Sequence, residues 1–333
     1  MFSSINKITL PPESKPLLQV IIDTEEEFDW SSPPDKNKNG VKHLLKIDRV
    51  QDIFKQYGIV PCYMVDYPVV SSETSSAILK SHFQAGHCEI GAHLQPWVNP
   101  PFEETLSVAN MYPGNLPAAL ELNKLQLLTE KITAFMEKKP VAYKAGRYGI
   151  GPNTAKILHE LGYLMDLSVC PGFDHRADGG PNYWQSDSLP FWFAEGKLLE
   201  LPLTSGFIGW GGRFKKPLYK LGTKTPLLKT QAVMSRLGLV DRLMLSPEGY
   251  TPTEHQHLTN NLLEQGVRLF TWSFHSPSIE VGHTPYVQSE RDLRVFLDSF
   301  KRYFDYFFGV LGGQAVSPAV LHEQFTRSRD LGI

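Results

Sequence analysis

The feature that most constrains this chain is an alternation of short apolar runs with stretches of helical periodicity. Residues 17–22 form an apolar run that stops at the acidic string Asp23-Thr24-Glu25-Glu26-Glu27, the pattern of a strand buried on both faces. Ile47, Val50, Ile53, Phe54 and Tyr57 then recur at helical spacing, Gly58 supplies a C-terminal stop, and 59–65 reads as strand again. The rhythm continues with a helix over 73–85, a strand over 88–93, a helix over 118–137, a strand over 141–145, a helix opened by Pro152-Asn153-Thr154 and a strand over 163–165. Strands at 198–203 and 268–274, a helix at 254–265 and a closing helix at 290–308 complete the series. Strands separated by helices require right-handed crossovers and a parallel sheet, which with this many units can close into a barrel. One α/β domain over 17–312 is expected, with tails at 1–16 and 313–333.

Composition narrows the partners. Hydrophobic residues make up 41% and charged residues 20%, enough for a real core, and a net charge of −2 lacks the basic surplus of a nucleic-acid binder. Cys62, Cys88 and Cys170 are scattered and odd in number, so they read as small buried residues of a reducing compartment. The first 18 residues lack a secretory pattern and no stretch is long and apolar enough to span a bilayer. The expectation is a cytoplasmic protein whose membrane contact, if any, is peripheral.

Two stretches break the alternation. Residues 171–197 are rich in Gly, Pro, Asp and aromatics, including Phe173, Tyr183 and Trp184, and are expected to line a cleft. Residues 204–250 carry Trp210 and then Arg213, Lys215, Lys216, Lys220, Lys224, Lys229, Arg236 and Arg242. These charges read either as a solvated face or as a seat for an anionic substrate such as a phosphate-bearing glycolipid or a nucleotide sugar.

In a parallel barrel the C-terminal strand ends share one face, and reactive groups gather there. Here those ends carry Asp23 and Glu25, then His93, then Lys144 with Arg147 and Tyr148 just beyond, then Asp166, and late in the chain His275. Singly, each has an ordinary explanation as a turn, cap or core residue. Jointly they describe a site. Asp23 and Glu25 are one residue apart, so on an extended chain they point the same way. A divalent metal, zinc in particular, relieves such crowding, and metal-bound water becomes a nucleophile near neutral pH. A neighbouring carboxylate can take the proton and an opposing histidine can protonate a departing amine.

The segments Asp23-Thr24-Glu25, Gly86-His87-Cys88-Glu89-Ile90-Gly91-Ala92-His93, Lys144-Ala145-Gly146-Arg147-Tyr148-Gly149, Asp166-Leu167-Ser168 and Ser273-Phe274-His275-Ser276-Pro277 resemble the five ordered motifs of the NodB-type polysaccharide deacetylases, carbohydrate esterase family four. The likeness runs over 17–308, and its nearest branch is the WalW-like deacetylases of lipopolysaccharide and exopolysaccharide clusters, which have a similar H-L-x-P-W-x-x-P-P run. The resemblance implies a distorted (β/α) barrel and an N-deacetylase acting on a carbohydrate or glycolipid. It further implies Asp23 as general base, Glu25 and His93 as metal ligands, His275 as general acid, Asp166 as the carboxylate orienting the third motif's arginine, and the backbone N–H near Tyr148 as oxyanion donor. The chain departs from the family at three positions. The place of the second metal-binding histidine, four after His93, is Trp97. Two after His93, where the nearest branch can have histidine, stands Gln95, a feeble zinc ligand, which leaves His87 as an alternative that reads as structural. Lys144 stands where arginine is expected, with Arg147 near enough to serve instead. Two further readings stay open: a metal-independent amide hydrolase on the same fold, and an inactive carbohydrate-binding homologue.

Overall fold

The computed structural model describes residues 5–28, 30, 34–211, 214–223 and 230–331. Its strands are β1 (Asn6–Lys7), β2 (Leu17–Thr24), β3 (Cys62–Val65), β4 (Glu89–Leu94), β5 (Ala142–Ala145), β6 (Met165–Asp166), β7 (Phe191–Phe193), β8 (Leu198–Glu200), β9 (Ser205–Ile208), β10 (Asp241–Met244), β11 (Leu269–His275) and β12 (Gln314–Ala315). The helices are α1 (Asp48–Gln56), α2 (Tyr67–Ser71), α3 (Glu73–Gln84), α4 (Ala118–Met136), α5 (Thr154–Glu160), α6 (Lys215–Thr223), α7 (Thr230–Arg236), α8 (Pro252–Glu264), α9 (Glu290–Phe304) and α10 (Pro318–Asp330). The main sheet runs β1-β7-β8-β6-β5-β4-β3-β2-β11, with β12 also on β2. From β8 through β11 every pair is parallel. The ladder is open between β8 and β11. There the chain beyond β8 and the residue after β10 bridge the gap: Leu245 N–H donates to the Thr204 carbonyl at 2.8 Å and Ser273 N–H to the Leu245 carbonyl at 3.2 Å. This is a distorted α/β barrel of the deacetylase type.

Strand alternation sorts the core into two layers. Val20, Ile22, Tyr63, Val65 and Tyr143 face the helices, where α9 presents Phe300, Tyr303 and Phe304 to Trp272 and Phe296 to Phe274. Ile21, Cys62, Met64, Ala142, Met165 and Leu199 face the interior. A Cβ at Gly91 would stand 2.5 Å from the Met64 Sδ, so glycine is what lets β3 fill that interior.

Several elements depart from expectation. The segment expected as a C-terminal tail forms β12 and α10, whose Leu321 and Phe325 complete the inner layer. Part of the segment expected as an N-terminal tail forms β1 against β7. The stretch 204–250 is built: β9 and β10 make an antiparallel pair, with α6 and α7 between them in sequence. Its β-strands escaped notice because both faces are mixed in polarity. The closing helix gives way to a π-helical turn at Asp305–Val310.

Candidate active site

Register decides which side chains meet. β11 pairs with β2 so that Phe274 lies opposite Ile22 and His275 opposite Asp23, while β4 and β5 set His93 opposite Lys144. Asp23, His93, Lys144 and His275 all share parity with inward-facing residues of their strands. The inner layer is therefore apolar at the strand starts and ionisable at their ends. Asp23, Glu25, His93, Gln95, Tyr148 and His275 line one cleft of about 980 Å³. Phe173, His175 and Asp178 from the Gly/Pro-rich stretch form part of its wall, and Trp30 and Tyr286 stand near His275.

Lys144 Nζ donates to both carboxylate oxygens of Asp23, each at 2.5 Å, and lies 5.2 Å from the Tyr148 ring. Burial raises the Asp23 pKa, but Lys144, His93 and His275 outweigh it and hold it below the ordinary aspartate value. His275 Nε2 is 3.8 Å from Asp23 Oδ2. On its other side His275 Nδ1 donates to Glu248 Oε2 at 2.7 Å, and its backbone N–H donates to Glu248 Oε1 at 3.2 Å. Burial would lower the His275 pKa; the carboxylates of Glu248, Glu25 and Asp23 reverse this and lift it to about 10. The ring is an imidazolium at neutral pH.

His93 Nδ1 lies 3.0 Å from the Lys144 carbonyl, and since a carbonyl only accepts, Nδ1 carries the proton. Nε2 lies 3.3 Å from Glu25 Oε2: with a proton it donates to that oxygen, and without one it leaves two acceptors face to face. Gln95 Nε2 donates to the same oxygen at 2.5 Å, whereas its Oε1 is buried without a hydrogen-bond partner. A Cβ at Gly146 would meet that Oε1 at 2.4 Å, so glycine makes room for the amide. Glu25 Oε2 and an unprotonated His93 Nε2 would fit a divalent cation, and Gln95 would join them as a ligand only with its amide turned over, since it is Nε2 that faces Glu25. The set has two strong ligands rather than three, and among the described residues no group of three or more His, Cys, Asp or Glu is arranged to hold a metal.

The shell behind the site explains the departures. Trp97 donates its indole N–H to Glu26 Oε1 at 2.7 Å. Burial, followed by Asp66, raises the Glu26 pKa well above normal. Trp97 is thus anchored behind Glu25 rather than standing empty where a ligand belongs. Ser276 Oγ accepts the Glu25 N–H at 3.2 Å and pairs with His43 Nε2 at 2.8 Å; His43 in turn pairs with Glu27.

Two expectations are corrected. Asp166 does not orient Arg147: with Met165 and Leu167 facing inward, alternation turns Asp166 outward, where it accepts from Ser168, and burial raises its pKa and that of the neighbouring Glu200. Arg147 does not replace the family arginine either. Its guanidinium points to Asp178 and Tyr112, both at 3.4 Å, and Lys144 takes the contact with Asp23. His87 lies before β4, at the opposite end of that strand from the cleft, beside His82. Of the two readings of the charges in 204–250, a substrate seat at the cleft is not what the described residues form. Lys216 donates to the Trp184 carbonyl and Arg242 stacks on Phe173 at 3.6 Å, and none of the described basic residues of 204–250 lines the cleft. Arg213, Lys224 and Lys229 lie outside the described residues.

Arg147 and Tyr148 both have positive φ, 52° and 61°, a backbone region that side-chain-bearing residues enter at a cost. The Tyr183 hydroxyl, donating to the Tyr148 carbonyl at 2.6 Å, holds them there. Glu248 is the functional residue that sequence reasoning missed. It sits in a Ser-Pro-Glu-Gly turn with no periodic signal, and only the fold brings it beside His275.

No protein-family model matches the sequence, and no curated protein does. Solved structures do resemble it. A Mycobacterium smegmatis protein assigned as a polysaccharide deacetylase is 14% identical, with 99% of this chain and 96% of that one covered and a TM-score of 0.56. Puue allantoinase is 13% identical, with 94% and 90% covered, also at 0.56. A Pseudomonas aeruginosa PAO1 protein, likewise assigned as a polysaccharide deacetylase, is 16% identical over 87% and 84%, with a TM-score of 0.48. At these identities the likeness establishes the fold, and it is the fold in which polysaccharide deacetylases and an allantoinase are both found.

Proposed function

We infer that the chain hydrolyses an N-acyl amide on a sugar, as an N-deacetylase of the NodB type in its WalW-like branch, acting in lipopolysaccharide or exopolysaccharide synthesis. The observation that carries this reading is the pairing of an ionised Asp23 with a protonated His275, 3.8 Å apart at the mouth of one cleft. An acid and a base kept in opposite protonation states are what amide hydrolysis needs. Asp23 accepts the proton of the attacking water, whose oxygen bonds to the acyl carbon. The backbone N–H of Tyr148 receives the oxyanion. As the C–N bond breaks, His275 gives its proton to the departing amine, and the acid is released. Lys144 holds the Asp23 carboxylate in place, while Glu248 fixes the His275 ring and keeps it charged. A carboxylate held this low is a weak base, so the water must be acidified, which is the chemistry a divalent cation at Glu25, His93 and Gln95 supplies when bound. The three free buried cysteines suit a reducing, cytoplasmic setting.

A second reading, hydrolysis without metal, is favoured by the two-strong-ligand set. The test is acetate release from an N-acetylated glycan oligomer before and after chelation. Loss on chelation with recovery in zinc supports the metal-assisted reading, and chelator-resistant release supports the second. Saturable glycan binding without any product overturns both in favour of an inactive binder.

A further inference from the structure

Residues 201–240 contain no aspartate or glutamate, although the whole chain has 35 acidic side chains against 33 lysines and arginines. Seven of those cations fall in this stretch, so the remainder of the chain is net acidic. Charge is segregated.

Apolar surface is segregated to the same place. Phe207, Tyr219 and Val240 make a small buried core, and Leu218 and Met234 pack onto it. The outer side is left bare: Trp210 is 73% exposed, Leu237 65%, Leu221 56% and Val233 50%. Trp210 Nε1 donates to the Leu237 carbonyl at 2.9 Å, which satisfies the polar end of the indole and turns its apolar body outward. Val233 and Leu237, four apart, lie on one side of α7 and its end. Lys220 and Arg236 are exposed beside them. A nucleic acid could stack a base on the indole but, like a purely polar acidic surface, would leave Leu221, Val233 and Leu237 wet. A surface that is anionic outside and hydrocarbon a few ångströms deeper answers both.

We propose that the face carrying Trp210, Leu221, Val233 and Leu237 docks the protein peripherally on an anionic lipid bilayer. Among the described residues no helix is long and apolar enough to cross a membrane, so the contact is one of insertion at the interface. The patch is tied to the cleft. β10 runs from it to Met244, which lines the cleft, and Arg242 of the same strand is stacked on Phe173 of the cleft wall. Docking therefore presents the cleft at the bilayer surface, and the substrate class that follows is a lipid-linked glycan; this last step alone rests on the proposed hydrolase activity.

The test is co-sedimentation of the full chain with vesicles of phosphatidylcholine alone and of phosphatidylcholine mixed with phosphatidylglycerol, which needs no turnover and so succeeds or fails separately from deacetylation. Binding to the mixed vesicles only, weakened by salt, is the expected result. Lys220→Glu with Arg236→Glu lowers it by at least about 25-fold, at about fivefold for each basic residue. Trp210→Ala with Leu237→Ala also lowers vesicle binding while leaving retention on heparin, a soluble polyanion, unchanged. Absence of sedimentation with either vesicle, equal sedimentation with both, or full binding by the Trp210→Ala, Leu237→Ala variant overturns the proposal.

Discussion

The strand-end cluster and the β9–α6–α7–β10 excursion are both rich in charge, but they handle it in opposite ways. In the cluster the charges of the acid–base pair have counter-charges: Lys144 bonds Asp23 and Glu248 bonds His275, all of them mostly buried. Withdrawn from water, such groups impose protonation states on one another, and that is how a site acquires an acid and a base at one pH. In the excursion Lys220 and Arg236 face water with no acidic residue along 201–240, and apolar side chains there are left uncovered by the rest of the described chain. Unopposed charge next to bare apolar surface does no chemistry; it selects a neighbour. The same residue types therefore suit the proposed catalysis or the proposed attachment according to whether the fold supplies their counter-charges.

The contrast predicts that substitutions in one region leave the other's property untouched. Asp23→Asn should lower kcat/KM for acetate release by about a thousandfold or more, in the upper part of the ~10²–10⁴ range for general catalysis. Vesicle binding should be unchanged, and a change there would break the separation. It should also reduce stability, because Lys144 then shares its buried position with a neutral amide. His275→Ala should cost about a hundredfold or more, most for substrates with poor leaving groups; equal slowing of all amides would remove its acid role. Gln95→His, which supplies a third strong ligand, should tighten metal retention by at least about tenfold, read by metal content after dialysis. Glu248→Gln should move the alkaline limb of kcat/KM downward from about pH 10, since Glu248 leads the groups that raise His275. The stabilisation from that raised pKa is fully present below the unfolded value near 6.5 and is lost as pH rises through about 10, so wild-type urea midpoints should fall over that interval while those of Glu248→Gln change less. The smallest effect is on Arg147→Gly: relief of the left-handed backbone, ~1–2 kcal/mol, offsets the ~1 kcal/mol of added chain entropy, so Tm should hold or rise.

Much of this was legible in the sequence, for reasons that individual residues show. Asp23, His93 and Lys144 could be placed because each ends an apolar run whose hydrophobicity is read locally. Their shared cleft followed from the geometry of parallel strands. Asp166 was assigned the wrong partner although its neighbours Met165 and Leu167 already carried the parity that turns it away. Glu248 left no trace, because its partnership with His275 spans 27 residues and depends on a turn. The strands of the excursion leave no periodic signal because β9 and β10 pair only with each other, with partly exposed residues on both. The C-terminal helix was missed because its apolar anchors, Leu321 and Phe325, are few and plug the interior rather than covering the sheet.

The register of β11 against β2 makes hydrolysis an all-or-none reporter of native assembly. A slip of one residue would rotate His275 out among the helix-facing aromatics and bring Phe274 over Asp23, so no partly paired chain could turn over substrate. During refolding, recovery of acetate release should lag the return of helical signal and appear together with locking of these two strands, whose partners lie some 250 residues apart along the chain.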